Sequence, residues 1–478
     1  MAEKAQNRKD FKLSVTKAAE IIKENIEKGK SITLISHVDA DGLAAASIMG
    51  KALAREEAFF RIRIWKQMDE LLVEEIASEE KSLLVFSDLG SGNLDLLSSK
   101  LPEWDIVVLD HHQLIGKPSN KLIHVNPHNN SFDGAREISG AGVTYFTAKA
   151  MNELNVDHAS LAVVGALGDS QDKNDKKKLF GLNEEIANDA VNAGYLKIET
   201  DLIFYGRETR PVHKALAYTT NPFIPDLSGE EDKCYGFLSN LGIKLKNEDR
   251  WRTINDLNIE EKQKIFSELA KYLSSKRLPN TIAFSLIGTV YTLIKEDRWT
   301  PLRDAREYSS LLNACGRMSK SGLGIEIGMG NLSGSLDEAK EEMNGYRKTL
   351  AEYMDWMTKT PKATEELGNI YVINGMGVID ELMLGTIASI VSTSGFFNEN
   401  KPIIALTSTE TGMIKVSGRI PNNVLDKKLN LGTIFDKAST QFSGSGGGHD
   451  VAAGAQLPQG LENEFIKLID QMIGAVKE

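Results

Sequence analysis

The sequence predicts an α/β protein with two α/β lobes, an N-terminal lobe around a parallel sheet and a smaller C-terminal lobe. Three features of the pattern lead to this prediction. Short apolar runs alternate with helical patterns over about the first 180 residues, and the pattern then becomes mostly helical. One long helical segment follows, and a second alternation of strands and helices begins after Lys362. We therefore divide the chain into an N-terminal α/β lobe, a helical middle segment, a linker helix and a C-terminal α/β lobe, at residues 1–190, 191–330, 331–361 and 362–478.

The strands predicted for the N-terminal lobe are short, rich in Val, Ile and Leu, and apolar on both faces. This is typical of parallel strands buried between helices. They cover residues 32–35, 82–86, 106–109 and 161–164. A further strand at 59–65 alternates Arg with Ile and is expected to have one exposed face. Its Trp65 is interpreted as part of a half-buried edge strand, with stacking on a nucleic-acid base as the alternative.

Capping signals predict two helices beyond this lobe. In the middle segment, which has no catalytic motif of its own, Asn258 and Glu261 have the spacing of a capping box at a helix start. Ser335 and Glu338 have the same spacing and predict the start of the linker helix, which Pro361 closes. Each helix is therefore expected to begin at its Asn or Ser.

The linker helix carries an apolar seam whose members are separated by three and four residues in turn. The seam consists of Leu336, Ala339, Met343, Tyr346, Leu350, Tyr353 and Met357. It predicts that the helix packs lengthwise on another helix while it connects the two lobes. Dimerisation through the seam is the alternative, and three heptads are too few to favour it.

The C-terminal lobe shows strands and helices of ordinary length. Its predicted elements are a strand at 370–373, a helix at about 380–394, strands at 403–407 and 413–417, a helix at about 431–438, a strand at 451–456 and an amphipathic helix from Leu461.

Composition sets broad limits on location and partners. The chain has 478 residues, 41% of them hydrophobic and 26% charged, without an apolar run near the roughly 20 residues that cross a bilayer. We expect a cytoplasmic protein with no membrane partner. Cys234 and Cys315 are too far apart for a thiolate zinc motif and are expected to be free thiols. A net charge of −11 does not exclude a nucleic-acid partner, because bound divalent cations would neutralise several of the acids.

Each predicted N-terminal strand ends in a cluster of polar residues. Ligands bind at the carboxyl ends of strands in open α/β sheets, so these clusters are expected to converge. The converging set is His37, Asp39, Asp41, Asp88, His111 and Asp169. Carboxylates with imidazoles and no thiolate suit Mn²⁺ or Mg²⁺, and four aspartates repel one another unless cations lie between them. The sequence therefore predicts two divalent metal ions, with Asp88 as the bridging ligand.

Simpler interpretations exist for each residue taken alone. An Asp after a strand is commonly a helix N-cap or a turn former. Four such clusters in order favour the metal site. Four other histidines lack acidic neighbours of this kind and are interpreted as solvated or locally bonded, namely His124, His128, His158 and His213.

A glycine tract near the C-terminus predicts a phosphate-binding turn. Gly446, Gly447 and Gly448 would let backbone N–H groups approach a phosphate, with His449 as a further donor. Arg419, at the end of a predicted strand, is expected to add a charged fork for the same phosphate. A flexible linker is the alternative, but an apolar strand follows His449 at once.

The ordered motifs HVDADG, SDLG, LDHHQ, GALGD and GSGGGHDVAAG resemble those of the DHH phosphoesterases with a DHH-associated C-terminal domain. Their layout is most similar to that of the archaeal RecJ-like nucleases, including the GINS-associated nuclease. The segment 312–317 also resembles this family. The resemblance covers both lobes and is weakest across residues 225–300.

The resemblance also implies roles for the residues. It implies two metal sites, one formed by His37, Asp39 and Asp88 and the other by Asp41, Asp88, His111 and Asp169. It also implies that His112 lies near the scissile phosphate, with Asp110 supporting the site. Arg419 and His449 would bind phosphate. Every metal-binding position of the family motifs carries a suitable residue in this sequence. This differs from the eukaryotic helicase-associated homologue, which has lost metal-binding residues and whose role is scaffolding.

The function implied is that of a single-strand-specific exonuclease that releases mononucleotides from DNA or RNA in replication or repair. One alternative is a phosphodiesterase for nanoligonucleotides, cyclic dinucleotides or nucleoside bisphosphates. The other is a replication-fork scaffold that binds the GINS complex.

Overall fold

The structure is a computed structural model that describes residues 2–66, 68–219, 224–276, 280–393, 396–397, 401–421, 424 and 429–477. The chain forms two compact units, Met1–Lys340 and Glu341–Glu478. Each unit is α/β, as the sequence predicts. Cys234 and Cys315 are buried, and the two are not joined in a disulfide.

The first unit begins with a five-stranded parallel sheet in the order β2-β1-β3-β4-β5. Its elements are α1 (Ala2–Glu27), β1 (Ile32–His37), α2 (Ala40–Arg55), β2 (Phe60–Trp65), α3 (Glu70–Ala77), β3 (Leu83–Ser87), α4 (Leu94–Lys100), β4 (Ile106–Leu109), β5 (Leu122–Val125), α5 (Gly140–Met151), α6 (Ala159–Gly168) and α7 (Leu182–Asn192). The predictions of β1, β2, β3 and β4 are confirmed. Because β1, β3 and β4 are neighbours, the residues that follow them meet at one edge of the sheet.

The strand predicted at 161–164 is wrong, because these residues lie within α6. The run is apolar on every side, and α6 is packed among α2, α5 and α7. A short apolar run cannot distinguish a buried strand from a buried helix by periodicity alone. The fifth strand is instead β5, which contains His124 and was not predicted.

The middle of the first unit joins helices to two small antiparallel pairs, β6 with β9 and β7 with β8. Its elements are β6 (Leu196–Leu202), α8 (Val212–Ala217), α9 (Glu231–Asn240), β7 (Lys246–Asn247), β8 (Arg250–Trp251), α10 (Ile259–Ser275), α11 (Asn280–Phe284), β9 (Ile287–Leu293), α12 (Ala305–Arg317) and α13 (Ser321–Gly328). The capping box of α10 is confirmed, since Asn258 and Glu261 exchange side-chain and backbone hydrogen bonds. This segment has a hydrophobic core of its own.

The linker helix α14 (Ser335–Lys359) is confirmed, but its predicted capping box is wrong. The Ser335 hydroxyl donates to Glu326 Oε2 at 2.6 Å, and the Glu338 N–H donates to the Gly334 carbonyl at 3.2 Å. Ser335 therefore lies inside the first turn and bonds to a neighbouring element instead of capping its own helix.

The second unit contains a mixed sheet in the order β10-β11-β12-β13-β15-β14. Its elements after α14 are β10 (Thr364–Glu366), β11 (Tyr371–Asn374), α15 (Leu384–Thr393), β12 (Ile403–Ser408), β13 (Met413–Arg419), α16 (Leu431–Gln441), β14 (Ser445–Gly448), β15 (Ala452–Pro458) and α17 (Glu462–Lys477). The predicted strands and helices are confirmed, with α15 starting later than expected. The edge strands β10 and β14 were not predicted.

Within the second unit, the seam of α14 packs on a core formed by β11, β12 and α15. Met357 is buried there, with Tyr346, Leu350 and Tyr353 partly buried against the same cluster. The Tyr353 hydroxyl also accepts a hydrogen bond from the Asp380 N–H at 3.2 Å. The seam thus packs on a sheet as well as on a helix. Across the described residues, no helix combines the length and apolar character needed to span a bilayer.

Candidate metal centre

The loop from β1 into α2 holds three of the predicted ligands in a tight turn. Asp39 is the N-cap of α2, and its Oδ1 accepts a hydrogen bond from the Gly42 N–H at 3.1 Å. Its other oxygen lies 2.9 Å from His37 Nδ1. A Cβ at Gly42 would lie 2.3 Å from the His37 carbonyl oxygen, so only glycine permits this turn. Asp41 follows in the first turn of α2 and is fully buried.

Asp88 lies between the two halves of the cluster. It follows β3 in a left-handed conformation with φ of 59°, which is uncommon for a residue with a Cβ. Its Oδ2 is 3.7 Å from His37 Nδ1, and its Oδ1 is 3.2 Å from His111 Nε2. One carboxylate thus faces both groups of ligands, which is the arrangement required of a bridging ligand.

The residues after β4 divide between the cluster and its support. His111 Nδ1 lies 2.6 Å from the Gly134 carbonyl, which can only accept, so the ring proton belongs on Nδ1. Its Nε2 then points a lone pair toward the acids, as a metal-binding imidazole must. Asp110 is fully buried and accepts hydrogen bonds from His112 Nδ1 at 2.8 Å and from the Ser91 N–H at 2.8 Å. Asp110 therefore supports His112 from behind.

Asp169 reaches the cluster from the end of helix α6, not from a strand. Its Oδ2 lies 3.3 Å from His111 Nε2, and Asp41 Oδ2 lies 3.8 Å from the same nitrogen. Asp41 is held from the other side by the N–H groups of Gly140 and Ala141, at 2.7 and 3.1 Å, at the start of α5. The structure therefore brings all of the predicted metal ligands together.

The possible ligand atoms form overlapping groups in which all atoms lie within 4.8 Å of one another. The groups are His37, Asp39 and Asp88; Asp41, His111 and Asp169; and Asp88, Asp110, His111 and His112. Among the described residues, Asp88 Oδ1 is a buried oxygen that makes no hydrogen bond. Buried carboxylates at this spacing, with imidazole nitrogens and no thiolate, fit a pair of Mn²⁺ or Mg²⁺ ions.

Electrostatics also favour bound cations. Burial raises the pKa of Asp41 well above its ordinary value, and the charges of Asp88 and Asp169 raise it further. Burial, with Asp39 and Asp88 nearby, raises the pKa of Asp169 to about 7 even though His111 opposes the shift. Burial alone would lower the pKa of His37, but Asp39 and Asp88 outweigh it and raise that pKa to about 10. The cluster therefore holds protons that a divalent cation would displace.

We expect metal binding to release protons near neutral pH. Because the pKa of Asp169 is raised to about 7, its carboxyl group is largely protonated below that pH, where the proton competes with the metal. The apparent Mn²⁺ affinity should fall as the pH is lowered from about 8 to about 6. Titration calorimetry in buffers of different ionisation enthalpy measures the released protons directly. An affinity that does not change over this range would contradict the protonation argued for Asp169.

Helix α12 contributes two residues that the sequence analysis did not assign. Asn313 Oδ1 accepts the Ala40 N–H at 3.0 Å, and Arg317 lowers the pKa of Asp39, although less than its partner His37 does. Gly316 allows this contact, since a Cβ there would lie 1.8 Å from the Val38 carbonyl oxygen. A glycine inside an amphipathic helix is the signal that could have marked this close approach.

In the second unit, the predicted phosphate-binding residues lie on adjoining strands. The Arg419 guanidinium donates to Ser389 Oγ at 2.8 Å and to the Gly418 carbonyl at 2.7 Å. Strand pairing aligns Ser417 with Gly454, and Gly454 with Gly447. Since side chains alternate along a strand, Arg419 lies on the same sheet face as these residues.

The predicted glycine turn is wrong, because Gly446, Gly447 and Gly448 form the edge strand β14. A Cβ at Gly446 would lie 2.8 Å from the Phe435 carbonyl oxygen of α16, whereas none of the surroundings would come within 4 Å of a Cβ at Gly447. The glycines thus allow β14 to pack on a helix backbone and leave its other face open. The turn itself lies at His449, whose N–H donates to the Ala452 carbonyl at 2.8 Å.

The start of α16 is closed to a phosphate by the same hairpin. The Leu431 and Gly432 N–H groups donate to the carbonyls of Asp450 and His449, at 2.9 and 3.0 Å. The Thr433 N–H donates to the side chain of Asn430 at 2.9 Å. These N–H groups at the start of α16 are therefore already paired within the unit.

Comparisons with known proteins agree with this geometry. Family models match the chain in three places: the DHH family N-terminal domain at residues 31–166, the DHH-CID domain at 204–287 and the DHHA1 domain at 376–475. The uncharacterized protein MJ0831 of Methanocaldococcus jannaschii is 32% identical over 470 residues, which cover 96% of this chain and 97% of that protein.

Solved structures show the same fold. RecJ from Thermus thermophilus in complex with Mn²⁺ is 16% identical with a TM-score of 0.58; the match covers 97% of this chain but only 55% of that one. The same protein has been crystallised with Mg²⁺, at 16% identity, a TM-score of 0.50, and coverage of 97% and 52%. CDC45 from Entamoeba histolytica is 14% identical with a TM-score of 0.62, and the match covers 96% of this chain and 99% of that one. With its ordered motifs, its acidic cluster and these relatives, the chain belongs to the DHH family and is a DHH phosphoesterase of RecJ-like architecture.

Proposed function

We propose that the protein is a Mn²⁺- or Mg²⁺-dependent, single-strand-specific exonuclease that releases mononucleotides from DNA or RNA during replication or repair. The observation that carries the proposal is the position of Asp88, with one oxygen near His37 and the other near His111. Two cations held in this way would lower the pKa of a shared water and stabilise both the attacking and the leaving oxygen of a phosphodiester.

The residues of the chain would bind and orient the substrate. His112 is 39% exposed in its side chain and is open to a phosphate, while Asp110 keeps the ring proton on Nδ1. Burial opposes protonation of His112, but Asp110 raises its pKa, so the ring can carry a positive charge beside the scissile phosphate. Arg317, beside Asp39, would add positive charge near the metal ligands. Arg419 and the open glycine face of the second unit would bind further phosphates.

Digestion of end-labelled single strands tests the proposal. DNA and RNA strands of roughly 30 nucleotides should be shortened one nucleotide at a time with Mn²⁺ or Mg²⁺, and EDTA should stop the reaction. The polarity follows from whether a label at the 5′ end or at the 3′ end is released first as a mononucleotide. A duplex of the same sequence should resist digestion. Faster turnover of dinucleotides, cyclic dinucleotides or nucleoside bisphosphates than of the strand would replace the proposal with a small-substrate phosphodiesterase.

We also propose that the protein binds the GINS complex. Only the family resemblance supports this partner, and a pull-down tests it. A catalytically inactive Asp88→Asn protein should retain GINS at physiological salt in a pull-down. Failure of both the variant and the wild-type protein to bind would remove the scaffold role and leave the nuclease proposal unaffected.

A further inference from the structure

A chain of polar side chains lies behind Asp110 and outside the metal cluster. It consists of Ser91 in the turn after β3, His124 in β5, and Asn126 just after β5. Ser91 and Asn126 are essentially fully buried. Buried polar groups are costly unless they are hydrogen-bonded, so a connected set of them holds its members in fixed orientations.

Ser91 is the centre of this chain. Its N–H donates to Asp110 Oδ2 at 2.8 Å, and its hydroxyl lies 2.8 Å from Asn126 Nδ2 and 2.8 Å from His124 Nε2. Asn126 Oδ1 accepts the His128 N–H at 3.0 Å, which fixes which end of the amide faces Ser91. The Ser91 oxygen therefore accepts a hydrogen bond from Asn126.

These contacts favour one arrangement of protons. The Asn126 amide donates to one lone pair of the Ser91 oxygen, and the buried Ser91 proton gains an acceptor 2.8 Å away when His124 Nε2 carries no proton. His124 is then the neutral tautomer with its proton on Nδ1. Burial also lowers the pKa of His124, which agrees with this neutral form.

This set of polar side chains is connected to His112 through two series of hydrogen bonds. Through Ser91 it holds Asp110, whose other oxygen is 2.8 Å from His112 Nδ1. Through Asn126 it holds the backbone, since Asn126 Nδ2 also donates to the His112 carbonyl at 2.9 Å. The ring and the backbone of His112 are thus tied to the same pair of buried side chains.

We propose that Ser91, Asn126 and His124 are positioning residues that set the orientation of His112 toward the scissile phosphate, an inference that rests on the proposed function. None of the three belongs to the groups of possible metal ligands formed by the described residues. Their loss should therefore lower kcat while leaving KM and metal affinity largely unchanged.

The His124 end of this set of hydrogen-bonded side chains is accessible, which allows a direct test. His124 lines a cavity of about 310 Å³ beside Ser14, Lys17 and Asn129, on α1 and the loop after β5. A His124→Ala substitution would enlarge this cavity next to the Ser91 hydroxyl. Imidazole can then enter and accept the hydrogen bond that His124 accepted, whereas pyrrole has the same ring size and an N–H but no acceptor nitrogen.

We expect His124→Ala and Ser91→Ala to lower kcat by about 10- to 100-fold, the range typical of residues that orient a ligand or catalytic group from behind. His124→Gln, which keeps an acceptor, should retain more activity than His124→Ala. Imidazole should restore part of the activity of His124→Ala with Mg²⁺, and pyrrole should not. Thermal unfolding and Mg²⁺ titration of each variant separate these effects from loss of fold or metal.

Two further measurements isolate the positioning role. In a His112→Ala background, His124→Ala should cause little additional loss of kcat, because the group that it orients is absent. In the metal-free protein, nitrogen-15 NMR of the histidine rings should show the proton of His124 on Nδ1, and Ser91→Ala should shift the ring signals of His112.

The outcomes distinguish this inference from the proposed function. A wild-type protein that does not digest single strands with either metal would overturn the proposed function. An active wild-type enzyme whose His124→Ala and Ser91→Ala variants keep its kcat would overturn only the positioning role. Equal rescue by pyrrole and imidazole, or additive losses in the His112→Ala background, would also overturn the positioning role, because cavity filling or general destabilisation would then explain the data.

Discussion

Replacement of Asp88 by Asn should abolish hydrolysis and leave the fold intact. Asn is the suitable substitute because Asp88 has a φ of 59°, a conformation in which Asn is among the most readily accommodated residues. The neutral amide cannot bridge two cations, and we expect kcat to fall by about 10³-fold or more, beyond the usual effect of losing one electrostatic contact. Turnover of a single-stranded oligonucleotide with Mn²⁺ measures this loss.

Metal-dependent stability provides a second readout for the same variant. At a Mn²⁺ concentration of about 100 times Kd, the wild-type protein should gain roughly 2.7 kcal/mol of unfolding free energy, and Asp88→Asn should gain much less. Asp105→Asn is a matched control, since Asp105 is a half-exposed partner of Lys30 that precedes β4, at the opposite end of the strand from Asp110 and His111. An Asp88→Asn protein with normal turnover would show that the cluster is not the catalytic centre.

Gly316→Ala should strongly destabilise the protein near the site. The new Cβ would lie 1.8 Å from the Val38 carbonyl oxygen, a contact that only a shift of α12 or of the loop after β1 could relieve. We expect a loss of about 3 kcal/mol of unfolding free energy, at the upper end for overpacked positions. Because Asp39 follows Val38, activity should fall as well. Urea unfolding in EDTA measures the stability without any contribution from metal.

Gly322→Ala is the control for this variant. Gly322 lies in the neighbouring helix α13, and none of its surroundings would come within 4 Å of a Cβ. Alanine is the better helix former, so the variant should be unchanged or more stable by about 0.5–1 kcal/mol. Similar destabilisation by both substitutions would show that the close approach of α12 to Val38 does not determine the effect at Gly316.

The acidic cluster was predictable because order along the chain reports position in a parallel sheet. Strands β1, β3 and β4 were evident from their apolar runs, and their carboxyl ends place His37, Asp88 and His111 side by side. Asp169 was predicted from a strand that is in fact a helix. It still reaches the cluster because α6 is packed against α2, next to Asp41. The position was right although the element was wrong.

Other features depend on tertiary contacts that leave no local pattern. Glycine has low strand propensity, so β14 was predicted as a turn, yet its Gly446 is required by the helix backbone that packs on it at the Phe435 carbonyl. Strand β5 is only four residues long, and its His124 interrupts the apolar run. The hydrogen bond between His124 and Ser91 joins residues 33 positions apart, which no local pattern indicates.

The bare backbone around Gly447 and Gly454 has a consequence for specificity. A nucleobase is read by side chains that match its edge, whereas a glycine surface offers no side chain and a guanidinium responds to charge and shape. If a strand lies on this face of the sheet, the four bases would be handled nearly alike there. We would then expect any preference for base composition to arise in the other unit, and degradation to proceed at an even pace through mixed sequences.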